Sequence, residues 1–232
     1  MARLRFKLGA AALLAALLGT TPVVAQPLAD PSDSLFNPAP TDSWDRDVFV
    51  FGGPFHTGYV TQSFTLWDTT WEPNFFVGGG YQQFFYRLGW MRLGAEGGVG
   101  LRFNTSGDTT FEGPSGPDSY PPLSGEVWAG AVARFDGVDI GPVHVTPALT
   151  AGVSAVTGLI GVEAEREAQH PFDRFGTGGK FLFYLGPELD FSLASNPNVE
   201  VFWRAQHRSG GFSTLMDLDG SNADTVGVRF KF

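Results

Sequence analysis

The stretch that decides the fold is Asn198–Phe232, NVEVFWRAQHRSGGFSTLMDLDGSNADTVGVRFKF. In its last run Val226, Val228 and Phe230 alternate with residues that are small or charged. Successive side chains of a strand point to opposite faces, so this run predicts a strand with one apolar face and one polar face. In a soluble sandwich the apolar face would meet a core, whereas in an outer-membrane barrel it meets lipid.

Seven further runs with strand character precede this one. The eight runs lie at 47–55, 74–86, 90–103, 124–136, 143–155, 180–193, 198–210 and 223–232. The connections between them are alternately long and short, and outer-membrane barrels have short periplasmic turns and longer outer loops. Runs of about ten residues are long enough for a tilted strand to cross the hydrocarbon. The sequence therefore predicts an all-β fold, an eight-stranded antiparallel transmembrane β-barrel with short periplasmic turns and long extracellular loops.

The polar faces of these runs carry charges of both signs. An eight-stranded barrel has an interior that side chains just fill, and buried charges must be paired. This predicts a structural polar plug and opposes both a wide pore and an apolar ligand-carrying lumen. The first two runs are apolar on both faces, so their registers stay open. The predicted inward charges are Arg92, Glu96, Arg102, Glu126, Arg134, Glu188, Asp190, Glu200, Arg204, Arg208 and Arg229.

The beginning of the chain has the pattern of an export signal. Three basic residues precede an apolar run, Leu8–Leu18, and a small-residue site that ends at Ala25. We therefore expect a cleaved signal peptide over 1–25 and localisation in the bacterial outer membrane. The proline-rich segment 26–46 predicts an extended periplasmic tail, and 47–232 is the predicted barrel.

Composition narrows the function classes. The chain has 15 basic and 24 acidic residues and no cysteine. This acidity opposes nucleic-acid binding, which needs a basic surface, and no disulfide or thiolate metal site is possible. His56, His144 and His170 lie in separate segments without the spacing of metal ligands, so we expect no metal and no cofactor. The oligomeric state stays open.

The apolar face of the seventh run ends in two polar residues, His207 and Ser209. Asp224 begins the next run on the same face, and a symmetric antiparallel hairpin places it roughly across from Ser209. A serine, a base and an acid that orients the base are the parts of a nucleophilic hydrolase, and the substrate on this face would be a lipid. Asp217 and Asp219 of the connecting loop are alternative acids. A polar rim at the membrane interface is the alternative to a catalytic site.

The motif QHRSGG around His207, with the Asn-containing loop behind it and the closing GVRF strand, resembles the C-terminal part of the PagL-type lipid A 3-O-deacylases. These are eight-stranded outer-membrane barrels with a His-Ser-Glu triad on the outer wall. The resemblance implies a carboxylic ester hydrolase with His207 as general base and Ser209 as nucleophile. Two positions depart from the family pattern. Gly210 stands where an Asn usually follows the serine, and no glutamate follows Glu200, so Asp224 would be the acid.

Two functions are therefore expected. The first is an outer-membrane serine esterase that removes an ester-linked acyl chain from lipid A, with lipopolysaccharide and outer-membrane lipid as its partners. The alternative is a non-catalytic structural or adhesive barrel that acts through its long extracellular loops. Outward-pointing histidine and serine side chains with an orienting group nearby favour the enzyme.

Overall fold

The structure, a computed structural model, describes residues 37–38, 44–65, 70–107, 110–113, 116–169 and 176–232. The predicted signal peptide, most of the predicted tail and His170 lie outside the described residues.

Eight antiparallel strands form a closed barrel. They are β1 Arg46–His56, β2 Trp71–Leu88, β3 Met91–Asn104, β4 Leu123–Phe135, β5 Val143–Val156, β6 Phe181–Leu193, β7 Asn196–Ser209 and β8 Asn222–Lys231. Each strand pairs with the next along the chain, and β8 pairs with β1 to close the sheet. The predicted all-β, eight-stranded antiparallel barrel is confirmed, and each predicted run begins and ends within three residues of its strand.

Smaller elements lie at the two ends of the barrel. We name these ends the long-loop end and the short-turn end after the connections that they carry. The smaller elements are a short pairing of Asn37–Pro38 with β2, a 3₁₀ turn Val60–Phe64, a hairpin of Thr110–Gly113 with Gly116–Ser119, a strand Val138–Ile140 and a helix α1 Gly161–Gln169. Neither helical element of the described chain has the length and apolar character that a bilayer span requires.

Buried ion pairs fill much of the lumen. Arg229 lies 2.6 Å from both Glu188 and Asp190, and Arg204 lies 2.7 Å from both Glu96 and Glu188. Removing one partner of such a pair leaves an uncompensated buried charge, which costs about 3–5 kcal/mol. Apart from the half-buried Arg92, every predicted inward charge is buried.

An aromatic cluster fills the rest of the lumen. Phe49 and Phe51 of β1, whose register the sequence left open, face inward with Phe76, Trp128 and Phe202. The Arg204 guanidinium lies 4.8 Å from the centre of the Phe49 ring, so the charged and aromatic parts are in direct contact. The expectation of a polar plug is therefore incomplete, because an aromatic cluster shares the lumen with the charges.

Helix α1 lies across the long-loop end of the lumen. The carboxylate of Glu163, which is 1% exposed, is 2.6 Å from Arg102 and also pairs with Arg208. Burial raises the pKa of Glu163, but the two guanidinium groups outweigh burial and hold this pKa below its ordinary value of 4.5. Arg166 of the same helix donates to the carbonyl oxygens of Asp219 and Gly220, so α1 also holds the last long loop.

The outer face of the barrel is apolar. Val50, Val77, Leu101, Val201 and Val226 point outward from five different strands and are 49–63% exposed. Charges inside and apolar side chains outside are the reverse of a water-soluble protein and are typical of a barrel surrounded by lipid.

Candidate active site on the outer wall

His207 and Ser209 end strand β7 at the long-loop end, on its outer face. Arg208 between them points into the lumen, as strand alternation requires. On the neighbouring strand β6, Leu185 pairs with His207 and Phe183 pairs with Ser209. Two residues of one strand that share a face are about 6.6 Å apart along the strand, so the two side chains are neighbours. In the described chain the hydrogen-bond partner of the His207 ring is Asn222, and no hydrogen bond joins it to Ser209.

Asn222, the first residue of β8, lies directly across from His207. Its Oδ1 is 2.6 Å from His207 Nδ1, and its Nδ2 donates to the carbonyl oxygen of Gly58 at 2.7 Å. A carbonyl oxygen can only accept a hydrogen bond, so the amide oxygen of Asn222 must face the imidazole. His207 Nδ1 therefore carries the proton, and Nε2 keeps the lone pair that a general base needs.

A groove of about 620 Å³ opens beside His207 and Ser209. More of the side chains along it are apolar or aromatic than polar, as in sites for lipid-like ligands. Besides His207 and Ser209, the lining residues fall into three groups, which are Ala151, Gly152, Phe183, Tyr184 and Leu185 of the barrel strands, Tyr59 and Val60 of the first long loop, and Gly211, Phe212, Ser213, Asp217, Leu218 and Asp219 of the last long loop.

A strained turn begins two residues after Ser209. Gly211, Phe212 and Ser213 have φ angles of 64°, 52° and 62°, which lie in the left-handed region. For residues with a Cβ this conformation costs about 1–2 kcal/mol each. At Gly211 a Cβ would also lie 2.3 Å from the Phe183 ring, so a side chain there would displace part of the groove wall. Strain of this kind is concentrated at functional sites.

Asp224 does not lie across from Ser209, where the symmetric hairpin placed it. It pairs with Ala205, and the loop residue against Ser209 is Gly220. The physical reason is that the backbone hydrogen bonds of β7 continue beyond Asn222, the first residue of β8, to Ser221 and Leu218 of the preceding loop. This shifts each residue of β8 by four positions relative to the expected register.

Asp224 instead contacts His56 and Ser63 on the outer wall. His56 Nε2 is 2.9 Å from Ser63 Oγ and 3.6 Å from Asp224 Oδ2, and all three side chains are buried. The three residue types are those of a hydrolytic triad, but both oxygen atoms approach the same ring nitrogen and Ser63 is only 1% exposed. The geometry of a triad is therefore not met. The pairing of β1 with β8 brings His56, set aside in the sequence as an isolated histidine, next to Asn222.

The two alternative acids lie in the last long loop. Asp219 lines the groove together with His207, and Asp217 accepts a hydrogen bond from Ser213 at 3.2 Å. Asp217 lines the same groove, but Asp219 is the one whose charge acts on the His207 ring. In the part of the chain that the structure describes, no group of three or more potential metal ligands occurs.

Sequence reasoning missed the orienting role of Asn222. A register that continued the β7–β8 ladder into the loop would have placed this residue across from His207, so a signal was present. The hydrogen bond from the Asn222 amide to Gly58 could not be predicted in this way, because the two residues are 164 positions apart and no local pattern connects them.

The chain is similar to known proteins in structure and not in sequence. No protein-family model and no curated protein sequence matches the chain. Among solved structures it is similar to Neisserial surface protein A, with a TM-score of 0.46 and 15% identity over 81% of this chain and 97% of that one. It is also similar to the outer membrane enzyme PagL, with a TM-score of 0.46 and 13% identity over 80% and 99%. A third is Ail of Yersinia pestis, with a TM-score of 0.34 and 13% identity over 81% and 97%.

Proposed function

We propose that the protein is a serine esterase of the bacterial outer membrane that removes an ester-linked acyl chain from lipid A of lipopolysaccharide. One observation carries this proposal. His207, with its Nδ1 proton fixed by Asn222, shares an apolar groove on the outer wall with Ser209. A base of defined tautomer beside a hydroxyl is the arrangement that nucleophilic catalysis needs.

The position of the groove favours a lipid substrate. It opens on the face of the barrel that carries the exposed apolar side chains, at the long-loop end. In outer-membrane barrels the long loops lie outside the cell, so this end is at the outer leaflet. The ester-linked acyl chains of lipid A lie in that leaflet, where they can enter the groove from the side. The QHRSGG resemblance supports the same substrate class.

The chemistry follows from the placement of the two side chains. His207 Nε2 takes the proton of Ser209 Oγ as this oxygen attacks the ester carbonyl carbon. The bond from that carbon to the sugar oxygen then breaks, the imidazolium returns its proton to the leaving alcohol, and the acyl chain stays on Ser209. Water activated by His207 releases the fatty acid and restores the serine. Backbone N–H groups of the left-handed turn Gly211–Ser213 are the nearest candidates to stabilise the oxyanion.

The orienting group in this proposal is neutral. Asn222 holds the His207 imidazole in place, as the Asn of papain-like proteases does. Asp224 is not the group that orients this base. In the described chain Asp224 contacts His56 and Ser63, and no hydrogen bond or ion pair joins its carboxylate to the His207 ring.

The test is mass spectrometry of lipid A from Gram-negative cells that express the wild type, Ser209→Ala or Ser195→Ala. Ser195 lies exposed in the turn at the opposite end of the barrel and is the matched control. We expect lipid A to lose one acyl chain with the wild type and with Ser195→Ala, and to stay intact with Ser209→Ala.

Heat-modifiable migration on gels must show that all three barrels are folded. Loss of the acyl chain with Ser209→Ala would remove Ser209 from the chemistry. Intact lipid A with all three folded barrels would reject the esterase and favour the non-catalytic barrel that acts through its loops.

A further inference from the structure

A segment of the first long loop, Gly58–Phe64, lies against the outer faces of β7 and β8. We name this segment the strap. The ring of Phe64 packs edge-on against that of Trp203, with 5.4 Å between the ring centres. Because lipid offers no hydrogen bonds, an irregular segment on this wall must satisfy its polar groups with the barrel.

A buried polar cluster attaches the strap to the barrel. Ser63 of the strap bonds His56 of β1, and the carboxylate of Asp224 on β8 lies next to both. His56 and Ser63 are at most 1% exposed. Among the described residues, the hydrogen bond found within this cluster is the one between Ser63 and His56. Without the strap the buried His56 ring would lose this partner, which costs free energy on an apolar wall. The strap and the cluster therefore depend on each other.

The strap also contributes to the proposed active site at two points. At its start, the Gly58 carbonyl accepts the hydrogen bond that orients the amide of Asn222. One and two residues later, Tyr59 and Val60 line the groove. The 3₁₀ turn between these residues and Ser63 is short and closed by a hydrogen bond from Gln62 to Tyr59, so movement of Ser63 would move the groove wall.

We infer that the strap selects the acyl chain. Tyr59 and Val60 are specificity-determining residues that set the width of the groove, and His56, Ser63 and Asp224 are positioning residues that hold this wall in place. The inference rests on the proposed function and gives the buried carboxylate of Asp224 a role separate from the base.

The attachment can be tested without catalysis. The chain has no cysteine, so Tyr59→Cys introduces a single site for a spin label on the exposed side of the strap. In the refolded barrel we expect a slow, restrained spectrum that becomes mobile when Ser63→Ala or Asp224→Asn is added. Thr61→Ala is the matched control because Thr61 lies exposed in the same 3₁₀ turn. Equal mobility in all four proteins would overturn the positioning role.

Selectivity is tested with p-nitrophenyl esters of increasing chain length in detergent. We expect Val60→Ala to raise kcat/KM for long over short chains by at least about fivefold, and Val60→Phe to lower this ratio. Ser63→Ala should flatten the chain-length profile, whereas Thr61→Ala should not. Unchanged profiles in active Val60 variants would overturn the selecting role. No ester hydrolysis by the folded wild type would instead reject the proposed esterase, while the spin-label spectra would still decide whether the cluster holds the strap.

Discussion

At the scale of single residues, the amide of Asn222 is what fixes the chemistry of His207. We predict that Asn222→Ala lowers kcat by about tenfold or more, with little change in KM, because the imidazole would become free to carry its proton on the wrong nitrogen or to turn away from Ser209. Ester turnover measures kcat, and nitrogen NMR of the ring reports the tautomer. Asn196→Ala, in an exposed position at the short-turn end, is the control. An unchanged kcat would show that Asn222 does not orient the His207 imidazole for catalysis.

The residue scale is also where the sequence was least informative. His207 and Ser209 could be found from alternation alone, because they interrupt an apolar face. Asn222 and His56 acquire meaning only from the pairing of β7, β8 and β1, and Gly58 contributes a backbone oxygen, which no residue type signals. Asp224 was predicted as the acid because a symmetric hairpin places it across from Ser209. The observed register differs by four residues, and Asp224 pairs with Ala205.

At the scale of elements, a side chain added in the strained turn after β7 has two costs in free energy, the backbone strain of a left-handed φ angle and a clash of its Cβ with the groove wall. Gly211 and Gly107 both have left-handed φ angles, but a Cβ at Gly107 would meet no described residue within 4 Å, whereas one at Gly211 would meet the Phe183 ring. We predict that Gly107→Ala destabilises the barrel by about 1 kcal/mol and that Gly211→Ala destabilises it by clearly more and lowers ester hydrolysis. Urea unfolding in detergent measures both, and equal costs would show that the turn relaxes without closing the groove.

Strands were the elements that the sequence predicted well. Alternation has a period of two, so an apolar wall and a charged lumen specify each strand over its whole length, as β3 and β6 show. The strap, α1 and the last long loop have no such period. Their positions depend on single polar contacts, such as Ser63 with His56 or Arg166 with the loop carbonyls, which sequence patterns do not reveal.

At the scale of the whole molecule, the lumen charges and α1 form one connected structure. We predict that Glu163→Gln lowers the free energy of unfolding by about 3–5 kcal/mol, because Arg102 and Arg208 would lose a shared buried partner. The folded-state pKa of Glu163 is depressed, so its contribution is present above the ordinary value of 4.5 and is lost as pH falls through the lower folded value.

Urea midpoints of the wild type and Glu163→Gln across a pH series measure this contribution. The two curves should be separated by a constant amount at neutral pH and should converge as pH falls below 4.5 and through the lower folded-state pKa of Glu163. Glu165→Gln, in a partly exposed position of the same helix, should follow the wild type throughout. A gap that widens on acidification would contradict the assigned ion pairs.

The pairing of β8 with β1 joins the last strand of the barrel to the first, and the groups around His207 meet across this seam. The imidazole comes from β7, its amide partner from β8, and the carbonyl that turns this amide from the loop after β1. Before its first and last strands pair, the chain contains every residue of the site, but the contacts among these residues have not formed. For the proposed esterase, hydrolytic competence would thus appear only when β8 pairs with β1 and closes the barrel.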